Sequence, residues 1–495
     1  MDFITNFPLF TIVLSLFSGV LMLMLKGKAA RNYTIVYESV LIVLVSCVLW
    51  YTLETGTAFT YVMGEFPAPW GNEIRAGVLE AVLALAFLVI MLCSVFAGYR
   101  FVDTDIDESK VNLYYSLLNL LTAALMALVW TNDIFTGYVF LEILTLTSCG
   151  ILIVRELGRT TLAAVRYMIM NLLGSGLFLL GVVMLYGMTG HLLMIPMQKA
   201  VAELAADPAV MPVLTMAVGI LTIGLCIKSG LFPFHYWMPD TYGWATPTSA
   251  SILSSLVSKG YIFLLFKIYY RAVGITVFER MPIRNILLVL GICGMVVGSV
   301  QAINANNINR MVAFSSAAQI GYIYMGIGLG SMVGYTAALF HVLAHALTKS
   351  QLFLTTPRLA EVSGGNLRFK DLQGSARRDR DAGIFFTMAA FSMIGIPVFA
   401  GFSSKLQFGL AALESSNIKM TMVMLALAVS SMLNALYFIR TIIRIYTDDP
   451  GKNVRAHHRA GYNVPMMVLT AGNVFLGLFS WVVVNLIRTG LLMFG

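Results

Sequence analysis

Charge is scarce in this sequence: Asp, Glu, Lys and Arg make up 11% of the 495 residues, against 59% apolar residues and a mean hydropathy of +0.83. A soluble domain carries about 25% charged residues, so a string of soluble domains is excluded and a polytopic membrane protein is expected. Cysteine is scarce too. Cys47, Cys93, Cys149, Cys226 and Cys293 stand singly inside apolar stretches with no C-x-x-C spacing. That excludes an iron–sulfur cluster or a structural zinc site, and any electron transfer belongs to another chain. Also missing are a basic segment before the first apolar run and a small-residue cleavage site after it, so that run is expected to stay as a span. There is no low-complexity tract and no linker long enough to set off a soluble domain. The 32 Lys and Arg exceed the 24 Asp and Glu by eight. In a membrane chain such an excess sets topology, and nucleic-acid binding is not expected.

What is abundant is the apolar run of about 20 residues, enough to cross a hydrocarbon core of about 30 Å. Such runs lie near 3–25, 33–53, 76–99, 111–130, 134–154, 161–187, 212–236, 245–271, 284–304, 311–330, 333–357, 383–409, 418–441 and 463–487. The expected fold is therefore all-α and integral to the membrane, with about fourteen transmembrane helices. Connections after odd-numbered spans hold 19 basic residues and the opposite side about seven. The richest are 358–382, with Arg358, Arg368, Lys370, Arg377, Arg378 and Arg380, and 442–462, with Arg444, Lys452, Arg455 and Arg459. These connections are expected in the cytoplasm and both termini outside, in a cell inner (cytoplasmic) membrane.

Six cations, Arg166, Lys228, Lys259, Lys267, Lys349 and Lys405, fall inside expected spans together with Glu80 and Glu142. A charge at a helix centre costs roughly 2.5–3.5 kcal/mol on insertion scales, so such groups face a protein interior or a hydrated cavity and read as an ion path. Lys267 and Arg166 lie near span ends, where snorkelling to the interface is the competing explanation. The third span can also start after Glu80, which would leave that acid outside.

The densest constellation is Lys228-Ser229-Gly230-Leu231-Phe232-Pro233-Phe234-His235-Tyr236-Trp237-Met238-Pro239-Asp240. Proline removes a backbone donor, so the seventh span is expected to break after its lysine. Gly395-Ile396-Pro397 ahead of Gly401-Phe402-Ser403-Ser404-Lys405 repeats the pairing in the twelfth span. Interrupted spans at corresponding positions point to inverted repeats, here spans four to eight (111–271) and nine to thirteen (284–441), flanked by 1–110 and 459–495. In the eleventh span His341, His345 and Lys349 recur every four residues on one helix face. Two such histidines suit a metal, a haem, a structural role or a proton relay. The absence of H-E-x-x-H and of a third ligand disfavours metal, and none is expected.

At these residues the chain resembles the antiporter-like membrane subunits shared by respiratory complex I, membrane-bound NiFe hydrogenases and multisubunit Mrp sodium/proton antiporters. Asp133-Ile134-Phe135 with Phe140-Leu141-Glu142 is similar to the family's fifth-helix carboxylate motif. The run from Lys228 to Asp240 is similar to its broken seventh helix, and Thr246-Pro247-Thr248-Ser249-Ala250 with Lys259-Gly260-Tyr261 to its eighth. Ala313-Phe314-Ser315-Ser316 with Gln319-Ile320-Gly321-Tyr322 is similar to the tenth, H-x-x-x-H-x-x-x-K to the eleventh, and Gly401 to Lys405 to the twelfth. The resemblance implies fourteen helices with two inverted five-helix repeats and an ion path along the membrane plane. On that path Glu142 pairs with Lys228, Lys259 and His341 continue the line, Lys405 delivers to the exit, and His235, His345 and Lys349 support it.

The resemblance also implies a proton-translocating subunit, in one version exchanging sodium, without a cofactor of its own. Its partners would be other membrane subunits, homologous antiporter-like chains among them, and peripheral redox subunits. Two drivers stand open, a redox module of hydrogenase or complex I type and a stand-alone Mrp antiporter in which this is the D-type subunit. Asn307, Asn309 and Arg166 depart from the family pattern of Asp, Lys and Lys, which bears on the loop contacts and leaves the central line intact. An autonomous solute transporter suits the broken helices but lacks an evident organic-ligand pocket, and a haem cytochrome lacks paired histidines on facing helices.

Overall fold

The computed structural model describes residues 2–66, 71–448 and 460–494, so Lys452, Arg455 and Arg459 of the second basic connection lie outside it. Helices dominate because a chain in hydrocarbon must bond its own backbone. In order they are α1 (Phe7–Met22), α2 (Gly27–Thr55), α3 (Val78–Asp105), α4 (Val111–Trp130), α5 (Ile134–Ile153), α6 (Gly158–Thr189) and the short α7 (Met194–Leu204). Then come α8 (Met211–Ser229), α9 (Met238–Trp244), α10 (Pro247–Ile252), α11 (Ser258–Lys267), α12 (Ile275–Phe278), α13 (Ile283–Ile303) and α14 (Ile308–Leu329). The last are α15 (Met332–Glu361), α16 (Ser375–Arg378), α17 (Arg380–Ile394), α18 (Ala400–Leu413), α19 (Asn417–Tyr446), α20 (Ala460–Leu478) and α21 (Ser480–Leu492). A two-stranded antiparallel sheet, Phe59–Val62 with Glu73–Ala76, lies between α2 and α3 in sequence.

Among the described residues eleven helices are long and apolar enough to cross a membrane, or twelve if the pair Gly461–Leu478 and Ser480–Leu492, bent by 82°, is one span. Fourteen spans were expected, and the shortfall has a chemical cause. α15 is a continuous helix of 30 residues, but its two histidines, Lys349 and several hydroxyls dilute its apolarity. α17 and α18, of 15 and 14 residues, are each short of a span because a break separates them.

Both breaks are made the same way. α8 stops at Ser229, Gly230 turns left-handed (φ +77°), and the N–H groups of Gly230 and Leu231 both reach the Cys226 carbonyl at 3.0 Å. α17 stops at Ile394, Gly395 turns left-handed (φ +95°), and the N–H groups of Gly395 and Ile396 both reach the Phe391 carbonyl at 3.0 Å. A glycine C-cap therefore ends each helix. Pro233 and Pro397 come after the breaks and keep the helix from resuming; they do not make the stop themselves.

The stretch Pro247–Ala272 is the centre of the molecule, with its most apolar window wholly buried, followed by Ile308–Leu329 at 94% and Glu108–Trp130 at 83%. Within it, π-helical turns at Leu253–Val257 and Ile268–Ala272 bracket α11. Such turns displace the regular bond ladder and leave carbonyls for side chains. Arg358, expected in a cytoplasmic connection, lies in the last turn of α15, buried against Asp379 at 2.6 Å and over the Tyr462 ring.

α13 and α14 touch through backbone, as membrane helices do where small residues face each other. A Cβ at Gly321 would lie 2.5 Å from the Gly291 oxygen and 2.7 Å from the Met295 nitrogen. Neither backbone atom can yield without moving a helix, so Gly321→Ala is expected to destabilise the detergent-solubilised protein by about 1–3 kcal/mol. Gly176→Ala on α6, where an added Cβ meets nothing within 4 Å, should leave the melting temperature unchanged or raise it. Equal melting temperatures for the two variants would count against this packing.

Candidate functional site

α5 begins where Asp133 accepts from the Thr136 N–H, which fixes the helix start and with it the direction of Glu142. Phe135, Val139 and Leu146 are exposed, and Glu142 falls on the same stripe at 24% exposure. Lys228 projects from the last turn of α8 with no exposure at all, its Nζ 3.8 Å from Glu142 Oε1. Nζ also donates to Thr145 Oγ1 at 2.7 Å and lies 5.3 Å from the centre of the Tyr261 ring, and the Tyr261 hydroxyl is 3.2 Å from Thr145 Oγ1. The result is one ammonium shared by a carboxylate, a hydroxyl and a ring face.

Lys259 opens α11 just after the first π-helical turn, and its Nζ donates to the Ser254 carbonyl and to Ser258 Oγ at 3.1 Å. Ser254 in turn meets Ser316 of α14 at 2.9 Å. Lys349 donates to the Val312 carbonyl at 2.8 Å and to Ser315 Oγ. Beside it, Ser94, Ser251 and Ser350 from α3, α10 and α15 close a ring of hydroxyls with separations of 2.8, 2.9 and 3.1 Å. Each of these hydroxyls can both accept and donate.

His341 Nδ1 lies 2.7 Å from Ser404 Oγ of α18, while its ring stacks on Tyr322 at 5.3 Å and on His345 at 5.9 Å with planes 6° apart. His341 Nε2 and both ring nitrogens of His345 have no protein hydrogen-bond partner. Lys405 donates to the carbonyls of Ile394 at 2.6 Å and Met393 at 3.4 Å, the open end of α17. Its Nζ lies 5.9 Å from the centre of the same Tyr322 ring. Tyr322 therefore sits between His341 and Lys405, held there by the close approach at Gly321. Just past the first break, His235 Nε2 lies 2.7 Å from Gln301 Oε1 of α13.

The site residues thus form local groups: Glu142 with Lys228; Lys259 and Lys349, each held by a main-chain carbonyl and a serine hydroxyl; and His341 and His345 with Lys405 around Tyr322. Among the described residues only Lys228 of the five span lysines forms an ion pair. Lys267 is fully buried and does not snorkel; it donates to the Val129 carbonyl at 2.7 Å and to the Thr131 carbonyl at the end of α4. Glu80 lies in the first turn of α3, buried against Arg75. Arg166 of α6 is exposed and pairs with Asp240 of α9 at 2.6 Å, which also meets Arg310 of α14 at 3.5 Å. Thr145, Tyr261 and Tyr322 carry no charge signal and are found through their contacts. Glu38 on α2, buried and accepting from Thr122 at 2.8 Å, lies in no motif and no break. A carboxylate within an otherwise apolar run was its only signal.

A family model described as NADH:quinone oxidoreductase/Mrp antiporter, TM, matches residues 131–433, more than half of the chain. The NADH-quinone oxidoreductase subunit N of Desulforudis audaxviator is 32% identical over 503 residues, covering 96% of each chain. Among solved structures, a chain of the Mrp complex from Dietzia sp. DQ12-45-1b superposes with a TM-score of 0.88 at 22% identity, covering 99% of this chain and 97% of that one. A chain of the membrane-bound sulfane sulfur reductase, an archaeal respiratory membrane complex, gives 0.88 at 22% identity, covering 100% and 98%.

Lys405 places positive charge on the carbonyl end of α17, the end that the helix dipole makes negative. Lys405→Arg keeps that charge, whereas Lys405→Glu sets a carboxylate against carbonyl oxygens. The arginine variant is expected to retain most ion transport and the glutamate variant to lose at least about tenfold, with a lower melting temperature. Near-normal transport in both would mean that Lys405 merely snorkels.

Proposed function

The chain belongs to the NADH:quinone oxidoreductase/Mrp antiporter transmembrane family, and on that premise we propose that it translocates protons through Glu142, Lys228, Lys259, His341 and Lys405 as one subunit of a larger membrane complex. The observation that carries this reading is the Glu142–Lys228 contact at 3.8 Å. A fully buried ammonium whose single carboxylate lies on an outward stripe has a charge state that depends on the position of that carboxylate. A neighbouring subunit that covers the stripe and moves Glu142 would then control when Lys228 holds its proton. From there the proton has hydroxyl and imidazole stations toward Lys405. Buried imidazole nitrogens without protein partners call for water, which supports a hydrated relay through His341 and His345.

In this reading the chain has no cofactor of its own, and electrons move on peripheral partner subunits. The 32% identical relative is named for NADH-quinone oxidoreductase, which favours a redox-driven assembly in an inner membrane; the placing of both termini outside rests on the distribution of basic residues alone. The second reading is the D-type subunit of a stand-alone Mrp antiporter exchanging sodium. The likeness to the Mrp chain favours it, but at 22% identity that likeness carries the fold alone. Copurification of iron–sulfur subunits would decide for the first, and a set of membrane subunits only for the second.

Glu142→Gln removes the carboxylate charge while keeping its size and leaves Lys228 buried without a counter-charge. In vesicles carrying the assembled complex, proton flux is expected to fall at least about tenfold, or about 1.4 kcal/mol of barrier, with the chain still inserted. Wild-type flux in this variant would overturn the proposal.

A further inference from the structure

The outward face of α19 runs into a cluster of cations. Met432, Leu436, Ile439 and Ile443, spaced four, three and four residues apart on one helix face, are all exposed. On the last turns of the same helix stand Arg440 and Arg444. With Arg368 and Lys370, from the segment between α15 and α16, they line a cavity of about 910 Å³. No Asp or Glu lines that cavity, and among the described residues none of the four cations forms an ion pair. Asp448, just past the end of α19, is taken by Arg377 at 3.1 Å. A second hollow of about 630 Å³ shares Leu436, Arg440 and Arg444 with the first and is walled by the apolar stripe.

A basic cavity that opens into an apolar groove has the shape of an amphiphile with an anionic head. The geometry points to a binding site for an anionic phospholipid, its phosphate among Arg368, Lys370, Arg440 and Arg444 and an acyl chain along the α19 stripe. Guanidinium groups match phosphate with paired N–H donors, and uncompensated basic residues at a membrane surface attract anionic lipid. A zwitterionic lipid brings no net charge to balance the four cations. A free phosphate ion would balance them but leave the apolar hollow unused.

The test is native mass spectrometry of the full-length protein in detergent, titrated with dioleoyl phosphatidylglycerol or dioleoyl phosphatidylcholine. Phosphatidylglycerol should bind at least fivefold more tightly, and inorganic phosphate at millimolar concentration should not displace it. Arg440→Gln/Arg444→Gln should abolish the preference while phosphatidylcholine binding and melting temperature stay as in the wild type. Arg368→Gln/Lys370→Gln, outside the helices, should do the same if the helical variant folds poorly, and Lys26→Gln/Lys28→Gln should have no effect. Equal binding of the two lipids, an unchanged preference in both cavity variants, or displacement by phosphate alone would overturn the assignment. So would a photo-crosslinker at Ile439 that captures a protein chain instead of lipid in the assembled complex.

Discussion

Buried positive charge in a hydrocarbon interior needs a fixed negative partner, and in this protein that partner is mostly main-chain carbonyl oxygen. Lys259, Lys267, Lys349 and Lys405 each donate to one or two backbone carbonyls. For three of the four those oxygens are available because the helices are interrupted, at a π-helical turn for Lys259, at the end of α4 for Lys267 and at the open end of α17 for Lys405; Lys349 instead meets Val312 within the unbroken α14. A carbonyl dipole offsets part of the desolvation cost but carries no net charge. Such a lysine is held in place without being committed to one protonation state.

Lys228 differs from the other four. Among the described residues it alone has a carboxylate within ion-pair distance, and that carboxylate lies on the surface stripe of α5. A full charge acts more strongly and over a longer range than a dipole, so in the proposed path control falls on the pair at the edge of the molecule, within reach of a partner. The interior stations are pinned to secondary structure. The close approach of α13 and α14 at Gly321 and Gly291 serves the same end, since it sets the Tyr322 ring between His341 and Lys405.

Much of this was legible in the residues. Lysines inside apolar runs marked the buried cations, and the pairing of a proline with each of two lysines located both interruptions. The stop itself was assigned to Pro233 and Pro397, although the left-handed turn that ends each helix needs Gly230 and Gly395. The span count was less legible, because the polar residues that make α15 interesting lower its hydropathy, and because α17 and α18 divide one apolar run. Arg358 read as a loop cation since its partner Asp379 lies 21 residues away in sequence. Hydroxyl contacts such as Thr145 with Lys228 and Ser404 with His341 join distant helices, and no local pattern encodes them. Glu38 has neither motif nor periodic signal, and only the packing of α2 against α4 reveals its burial.

The central claim is that Glu142 and Lys228 act as a coupled pair inside the membrane. A double-mutant cycle tests it most directly, with Glu142→Gln, Lys228→Met and both together, read as melting free energy of the solubilised protein. Each single variant leaves one charge of the pair without its partner, whereas the double variant leaves none. The account predicts that the double variant is no less stable than either single one, with a coupling energy of about 1–3 kcal/mol. Strictly additive losses, with no coupling beyond about 0.3–0.5 kcal/mol, would contradict it.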